Sequence, residues 1–257
     1  MLGTAAPRRT ERQAVQGRGL ITIPLFSQGM SGVQHYFGTK TNPGPIPVRP
    51  GGPGRRVLKV KQVHGTEVLV VARRITNWPA FEAETSSFPY DAMVTNQPDL
   101  LLSVTTADCV PLLLMDADRG VVAAAHAGWR GTLGGIAAKT IQIMQERFQC
   151  RLRSIRAAIG PSIGVCCYEV DAAVLTPLKK AYPYWEEVLD KMGGSRAHLD
   201  LRRLNRRQME EAGLDPARIE TVNLCTACHS DLFHSYRRNG KGTGFMTSGI
   251  GLTGVLG

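Results

Sequence analysis

The sequence lacks any long uninterrupted apolar run. No segment approaches the roughly 18 residues that a membrane-spanning helix needs, although 43% of the 257 residues are hydrophobic, enough for a sizeable core. The first 18 residues contain four arginines and no apolar stretch typical of a secretory signal. We therefore predict no membrane association and a cytoplasmic location. Residues 1–18 are predicted to form a flexible basic tail, and residues 19–257 a single domain.

Cysteine and histidine are scarce, with six of each. There is no H-x-H pair of the kind that multicopper clusters use, and no H-x-E…P-C-x-x-C signature of the zinc nucleobase deaminases. A structural zinc site usually combines two C-x-x-C pairs, and only one, Cys225-x-x-Cys228, is present. Adjacent cysteines rarely bind one ion, so Cys166 and Cys167 are poor partners for it. These four cysteines are predicted to be buried and structural.

Acidic residues are outnumbered, 21 against 31 basic ones, which gives a net charge of +10. This excess favours anionic partners. However, zinc-finger spacing, aromatic RNA-binding motifs and basic heptads are all missing. A small anionic substrate is therefore favoured over a nucleic acid, although a basic binding module stays an alternative.

Chemistry-bearing residues concentrate between residues 100 and 135. Two apolar runs, predicted to be buried strands, flank Asp108 and Cys109, and a third run ends at His126 and the loop G-W-R-G. Helical spacing follows, with Thr132 as the predicted N-cap. A strand, a histidine, a glycine loop and a helix N-terminus together predict an anion pocket. Arg130 would add a fixed positive charge to that pocket.

A second histidine, His64 in Q-V-H-G, lies at a predicted turn between two strands in residues 57–72. Two histidines and a cysteine with one open position form a known catalytic zinc arrangement, so His64, Cys109 and His126 are candidate ligands. In the alternative, Cys109 is a nucleophile and His126 its base. Elsewhere, residues 76–90 are predicted to be a loop. Strands do not alternate regularly with helices, which favours an α+β domain with mixed sheets.

Five sequence blocks resemble one family. They are KQVHGTEV, YDAMVTNQPDLLLSVTTADCVPLLL, GVVAAAHAGWRGTLGGI, IGPSIGVCCYEV and CTACHSDLFHSYRRNGKG. Together they are similar to the laccase-domain or polyphenol oxidase (YfiH-like) family, also called peptidoglycan editing factor or purine nucleoside phosphorylase. The blocks occur in the family's order over roughly residues 31–252, which makes the resemblance specific.

The resemblance implies a single α+β domain of mixed sheets packed together and flanked by helices. It implies one metal ion, zinc rather than copper, held by His64, Cys109 and His126. The implied reaction is phosphorolysis of purine nucleosides (adenosine, inosine, guanosine and methylthioadenosine), with adenosine deamination as a further activity. An amidase or cysteine hydrolase that edits peptidoglycan precursors is the alternative, and a copper-dependent polyphenol oxidase is the older assignment.

Six further residues are predicted to bind the nucleoside or phosphate. Lys40, in HYFGTK, stands where the family has an arginine and keeps its charge. The others are Asp91, Gln62, Arg130, Arg237 and Arg238. For Arg237 and Arg238, salt bridges that pin the C-terminal segment are an equal alternative, and Tyr168 is a candidate for lining or for packing.

Overall fold

Two six-stranded sheets pack face to face, and helices cover the outer face of one of them. The structure, a computed structural model, describes residues 15–16, 19–27, 32–42, 44, 56–98 and 100–252. Its strands are β1 (Val15–Gln16), β2 (Leu20–Ile21), β3 (Val33–Phe37), β4 (Arg56–Leu58), β5 (Val68–Val71), β6 (Ala92–Thr95), β7 (Leu100–Thr106), β8 (Val110–Asp116), β9 (Val121–Ala127), β10 (Ile155–Ile159), β11 (Glu169–Val170), β12 (Leu189–Gly193), β13 (Arg196–Leu199), β14 (Ile219–Thr221) and β15 (Met246–Leu252).

The helices are mostly short. They are α1 (Pro24–Ser27), α2 (Trp78–Ser87), α3 (Trp129–Leu133), α4 (Ile136–Phe148), α5 (Ala172–Ala181), α6 (Leu201–Glu211) and α7 (Tyr236–Asn239), with 3₁₀ turns at Trp185–Val188 and Pro216–Arg218. No helix in the described part of the chain is long and apolar enough to cross a membrane.

Both large sheets are mixed, as predicted. Sheet A has the strand order β1-β2-β3-β15-β7-β4, and sheet B the order β14-β10-β8-β9-β6-β5. In sheet B the central strands are antiparallel, whereas β5 runs parallel to β6 and β14 parallel to β10. A small third sheet has the order β11-β13-β12. The α+β fold class is therefore confirmed.

Strands β8 and β9 are buried along their whole length. Side chains on one face, such as Leu113, pack in the core shared with sheet A. Those on the other face, such as Leu112, pack in the core that holds Ile141 of α4 and Leu204 of α6. Because both faces are covered, these strands are continuously apolar rather than alternating.

Helix α6 fixes the loop that follows β9. Asn205 Nδ2 donates to Thr132 Oγ1 at 3.0 Å, and Gln208 Nε2 donates to the Thr132 carbonyl at 2.7 Å. Both polar side chains are buried. Thr132 is therefore an anchoring point inside α3, and the predicted N-cap role is wrong. Helix α4 begins after Gly135, whose φ of 80° is left-handed.

The predicted loop at residues 76–90 is also wrong, because it contains α2. Asn77 caps this helix by accepting from the Ala80 N–H at 3.2 Å, and Pro79 lies in the first turn, where its missing N–H costs nothing. Of the predicted tail, residues 1–18, only Val15–Gln16 is described, as a strand paired with Leu20–Ile21. The domain boundary stays a prediction.

Candidate metal and substrate site

The three predicted ligands meet because three strand connections lie at one edge of sheet B. Strands β8 and β9 are antiparallel and pair Pro111 with His126, so Cys109, just before β8, lies beside the end of β9. Strand β6 pairs Ala92 with Ala125 and brings Asp91 next to His126. Parallel pairing of β5 with β6 then places the turn that contains His64 against the same edge.

The possible ligand atoms of His64, Cys109 and His126 all lie within 4.8 Å of one another. The two imidazole rings meet edge to face, with their centroids 4.8 Å apart. His126 is buried, Cys109 half-buried and His64 exposed. A thiolate and two imidazoles suit a borderline-soft ion and leave one position open to solvent or substrate.

Asp91 organises this site without lining the cavity. Its buried carboxylate accepts from three successive backbone amides, those of Val63 (3.1 Å), His64 (2.9 Å) and Gly65 (2.7 Å). It also contacts His126 Nδ1 at 2.7 Å. The contact to Nδ1 leaves Nε2 available for a metal, an arrangement that orients metal-binding histidines generally. Asp91 therefore positions the His64 turn and the His126 ring, and it is not among the residues that line the cavity; its binding of substrate stays a prediction.

The charges of these groups depend on one another. Burial disfavours the Asp91 carboxylate, but hydrogen bonds from His126 and two backbone amides outweigh it and lower the pKa of Asp91. Burial also disfavours the imidazolium, yet the contacts with Asp91 and Cys109 raise the pKa of His126 to about 9. Against its own burial, the neighbouring histidines lower the pKa of the Cys109 thiol to about 7. The sulfur is thus set up as a thiolate.

Two glycines of the H-A-G-W-R-G loop are required by close packing. A β-carbon at Gly128 would lie 2.5 Å from His64 Cδ2 and 3.2 Å from Cys109 Sγ, and one at Gly131 would lie 2.7 Å from the Gly65 carbonyl oxygen. Contacts under 3 Å do not occur without displacement. The loop can therefore lie against the His64 turn only with glycine at these two positions.

Asp108 connects the Cys109 ligand to the C-terminal segment. Its φ is 97°, a left-handed value that is rare for a residue with a side chain. Its carboxylate accepts from the Thr226 hydroxyl (2.5 Å), the Ser235 hydroxyl (3.1 Å) and the Arg237 N–H (2.6 Å). These bonds hold the strained residue in place. Sequence reasoning noted Asp108 only as a neighbour of the thiol and missed this role.

A cavity of about 700 Å³ opens beside the three ligands. Its walls include the aromatic rings of Trp129, Tyr168 and Phe245. Two guanidinium groups stand among them, Arg130 at 4.3 Å over the Trp129 ring and Arg237 at 5.2 Å over the Tyr168 ring. The cavity therefore combines stacking surfaces for a flat group with positive charge for an anion.

Residues 49–253 match the family described as multi-copper polyphenol oxidoreductase laccase. The chain belongs to this laccase-like family. Among solved structures of the family, YfiH from Bacillus licheniformis has a TM-score of 0.79 at 30% identity, over 93% of this chain and 98% of that one. YlmD from Geobacillus stearothermophilus has a TM-score of 0.76 at 29% identity, over 92% and 97%.

Relatives in this laccase-like family carry names from nucleoside chemistry. One is purine nucleoside phosphorylase YlmD of Geobacillus stearothermophilus, 36% identical over 77% of this chain and 73% of its own. A purine nucleoside phosphorylase of Deinococcus radiodurans is 39% identical over 76% and 69%. Another, adenosine deaminase RL5 of an unknown prokaryotic organism, is 37% identical over 74% and 72%. Enzymes named for purine nucleoside phosphorolysis are thus similar to this chain.

The remaining predicted substrate residues divide into two groups. Gln62, Arg130 and Arg237 line the cavity. The amide of Gln62 is already paired with the Thr105 backbone, donating and accepting at 2.8 Å, so it also holds the His64 turn against β7. Arg237 donates to the carbonyl of Glu169 at 3.0 Å, which helps to hold the guanidinium over the Tyr168 ring.

Lys40 and Arg238 lie outside the cavity. Lys40 Nζ donates to the Ser230 carbonyl at 2.8 Å. The Arg238 guanidinium donates to the carbonyls of Thr226, Ala227 and Phe233 at 2.8–2.9 Å. Both therefore tie backbone segments together, Arg238 through carbonyl oxygens rather than the salt bridges considered from the sequence.

The sequence predicts that the four cysteines at positions 166, 167, 225 and 228 are buried, and this prediction is wrong for three of them. Cys225 is buried, but Cys166 and Cys228 are exposed and Cys167 is half-buried. Their sulfur atoms lie together, within 4.8 Å of one another. Cys166 and Cys167, expected to be poor partners for the Cys225 and Cys228 pair, thus both lie close to it.

Proposed function

We propose that the protein is a zinc-dependent purine nucleoside phosphorylase that takes adenosine, inosine, guanosine or methylthioadenosine. The observation that carries this proposal is the placing of the His64, Cys109 and His126 ligand set in a cavity with aromatic walls and two guanidinium groups. Relatives named purine nucleoside phosphorylase support the same reaction. An open zinc position and an anion site together serve a reaction whose two substrates are a nucleoside and phosphate.

The donor set favours zinc over copper. A thiolate and two imidazoles with one free position match catalytic zinc sites. A mononuclear blue-copper site adds a weak axial ligand, commonly methionine. No methionine occurs among the described residues that line the cavity. When bound, zinc would supply positive charge that stabilises negative charge on phosphate or on the departing base.

In the proposed reaction a phosphate oxygen attacks C1′ of the ribose. The bond from C1′ to N9 breaks, and the purine leaves with the electron pair and takes up the proton that hydrogen phosphate gives up. Arg130 and Arg237 hold the phosphate by charge-assisted hydrogen bonds. The rings of Trp129, Tyr168 and Phe245 bind the base by stacking and exclude water from it. Positioning both substrates beside C1′ lowers the entropic part of the barrier.

The test is base release by metal-loaded protein given inosine or adenosine, with and without phosphate, followed by chromatography. We expect free base and ribose 1-phosphate to form only when phosphate is present. Their absence from protein shown to contain metal would refute the proposal. Metal content is measured alongside in Cys109→Ala and His126→Ala, which should each hold one equivalent less than wild type and lose activity.

The Arg130→Gln variant tests the binding of phosphate separately from the binding of the nucleoside. Loss of a charged donor to phosphate is worth roughly tenfold in an exposed position, so the KM for phosphate should rise about tenfold while that for inosine changes little. Arg119→Gln, an exposed arginine in the β8–β9 turn, is the matched control. An equal rise in both KM values would mean that Arg130 does not bind phosphate.

Adenosine deamination is a second candidate, favoured by the relative named adenosine deaminase RL5. The same open zinc position would then activate water for attack on the purine ring. Ammonia and inosine formation from adenosine without phosphate distinguishes this activity from base release.

Hydrolysis of a peptidoglycan precursor by a cysteine nucleophile is the other alternative. It rests on the lowered pKa of the Cys109 thiol and its contact with His126, which suit a nucleophile and base. It predicts cleavage that needs no phosphate and survives chelation. Metal dependence in the same assay would exclude it, since zinc on the sulfur prevents nucleophilic attack.

A further inference from the structure

Four cysteines that the proposed reaction does not use form a compact group on one side of the cavity. The Sγ atoms of Cys166, Cys167, Cys225 and Cys228 all lie within 4.8 Å of one another. Cys228 Sγ lies 3.5 Å from that of Cys166 and 3.3 Å from that of Cys167. This group is called the cysteine cluster below.

Sheet pairing brings the two halves of the cysteine cluster together. Strands β10 and β14 are parallel, and beyond them a bridge pairs Ser162 with Cys225. The chain then turns at Gly164, whose carbonyl accepts from the Cys167 N–H at 3.0 Å. A β-carbon at Gly164 would lie 3.1 Å from Cys225 Cβ and 3.2 Å from Cys166 Sγ, so glycine permits the approach. The turn carries both adjacent thiols to the same point.

The spacing suits a tetrahedral ion. With zinc–sulfur bonds of about 2.3 Å, the sulfur atoms of a tetrathiolate lie about 3.8 Å apart. Two of the sulfur separations here, 3.5 and 3.3 Å, are slightly shorter than that value, and none exceeds 4.8 Å, so only small shifts are needed to reach it. One sulfur already has a thiolate-type partner, because the Gly164 N–H donates to Cys225 Sγ at 3.2 Å.

A buried cation flanks the cluster. Arg202 is 9% exposed, and its Nη2 lies 3.1 Å from where a Gly164 β-carbon would be. Its Nη1 donates to the Val222 carbonyl, but among the described residues Arg202 forms no ion pair with a carboxylate. Buried cations are normally paired. Zinc with four thiolates carries two negative charges in total, which would supply the missing counter-charge.

We propose that Cys166, Cys167, Cys225 and Cys228 form a second, structural metal site that binds zinc. Binding replaces the thiol protons, which pass to solvent, and involves no change of oxidation state. All four positions of the ion are filled by protein, so this site holds structure and leaves no place for substrate.

The site would clamp the two segments that form one wall of the cavity. Tyr168 follows Cys167 directly, and Arg237 Nη1 donates to the Cys167 carbonyl at 3.4 Å. Arg238 in turn donates to the Thr226 and Ala227 carbonyls between the other two cysteines. An ion here would thus fix the wall that carries the Arg237 charge.

The experiment compares bound zinc in four reduced, zinc-loaded proteins. We expect two equivalents in wild type and in Cys150→Ala, the control that removes a buried thiol elsewhere. Cys109→Ala and Cys228→Ser should each hold one. Cobalt-loaded Cys109→Ala protein should show the intense charge-transfer and visible bands of tetrahedral cobalt thiolate.

The Cys109→Ala measurement leaves the cysteine cluster unchanged, so it decides the matter even if Cys228→Ser does not fold. Cys109→Ala protein that binds neither zinc nor cobalt would overturn the proposal. A disulfide that joins Cys228 to Cys166 or Cys167 in protein purified with zinc and without a reductant would do the same. Retention of one ion with a thiolate spectrum supports it.

Discussion

Replacing Asp91 with asparagine tests how the ligand set is held. Asp91 Oδ1 accepts from His64 N–H and contacts His126 Nδ1, and Oδ2 accepts from the N–H groups of Val63 and Gly65. An asparagine offers one acceptor oxygen and one NH₂ donor in the same volume. Whichever way the amide is placed, its donor faces groups that are themselves donors.

The two orientations of the asparagine amide impair different properties, one the stability of the fold and the other metal binding. With the oxygen towards His126, two backbone N–H groups lose their acceptor. Val63 is 45% exposed, so water replaces part of that loss, and we take about 1–2 kcal/mol of destabilisation. With the NH₂ towards His126, its Nδ1 must accept and the proton moves to Nε2, where it blocks metal binding. Loss of such a partner typically weakens metal affinity 10–100-fold.

The assay is competition for zinc against a chromophoric chelator, with urea unfolding of the metal-free protein measured alongside. Asp91→Asn should lose 10–100-fold in affinity, about 1.4–2.8 kcal/mol. Asp118→Asn, at an exposed position in the β8–β9 turn, makes the same chemical change away from the site and should alter neither quantity. Zinc affinity of Asp91→Asn within twofold of wild type, together with an unchanged unfolding free energy, would refute the reasoning.

Three other changes have defined outcomes. Burial lowers the pKa of His35 to about 4, so only the unfolded chain binds its proton between pH 6.5 and 4 and stability falls as pH falls. His35→Gln keeps an acceptor for the Ile23 N–H but has no titrating group. Between pH 6.5 and 4 its unfolding free energy, measured with urea, should therefore fall by about 3 kcal/mol less than that of wild type. Gly128→Ala should displace His64 and weaken zinc binding about tenfold or more, measured after dialysis. Leu112→Ala should lower the unfolding free energy by about 2–5 kcal/mol in the same denaturant assay.

The sequence predicts best the elements whose burial is complete. Strands β8 and β9 are apolar throughout because both of their faces are covered. The continuous apolar runs therefore predict where these strands begin and end, and place Cys109 and His126 at their ends. Helix α2 is missed for the opposite reason. Among its side chains with described burial, only Thr85 is buried, so no apolar stripe marks it. Asn77 and Pro79 were the available signals.

Long-range convergence could not be predicted in the same way. The role of Asp91 depends on parallel pairing of β5 with β6, which places three amides of a distant turn around one carboxylate. The cysteine cluster depends on pairing of β10 with β14 and on a turn at Gly164. Neither feature produces a residue spacing that could be recognised in the sequence. Spacing motifs report ligands on one local segment, whereas these sites are assembled by strand order.

Asp108 gives the two proposed metal sites a physical connection. It is bonded covalently to the Cys109 ligand and through its carboxylate to Thr226, Ser235 and Arg237, the segment that the cysteine cluster would clamp. The β8–β9 hairpin holds Cys109 independently of that segment. Loosening the clamp should therefore move Arg237 first and the Cys109 ligand last. For Cys228→Ser we accordingly expect a raised phosphate KM at unchanged zinc affinity of the His64, Cys109 and His126 site. Equal losses of both would mean that the wall and the ligands move as one body.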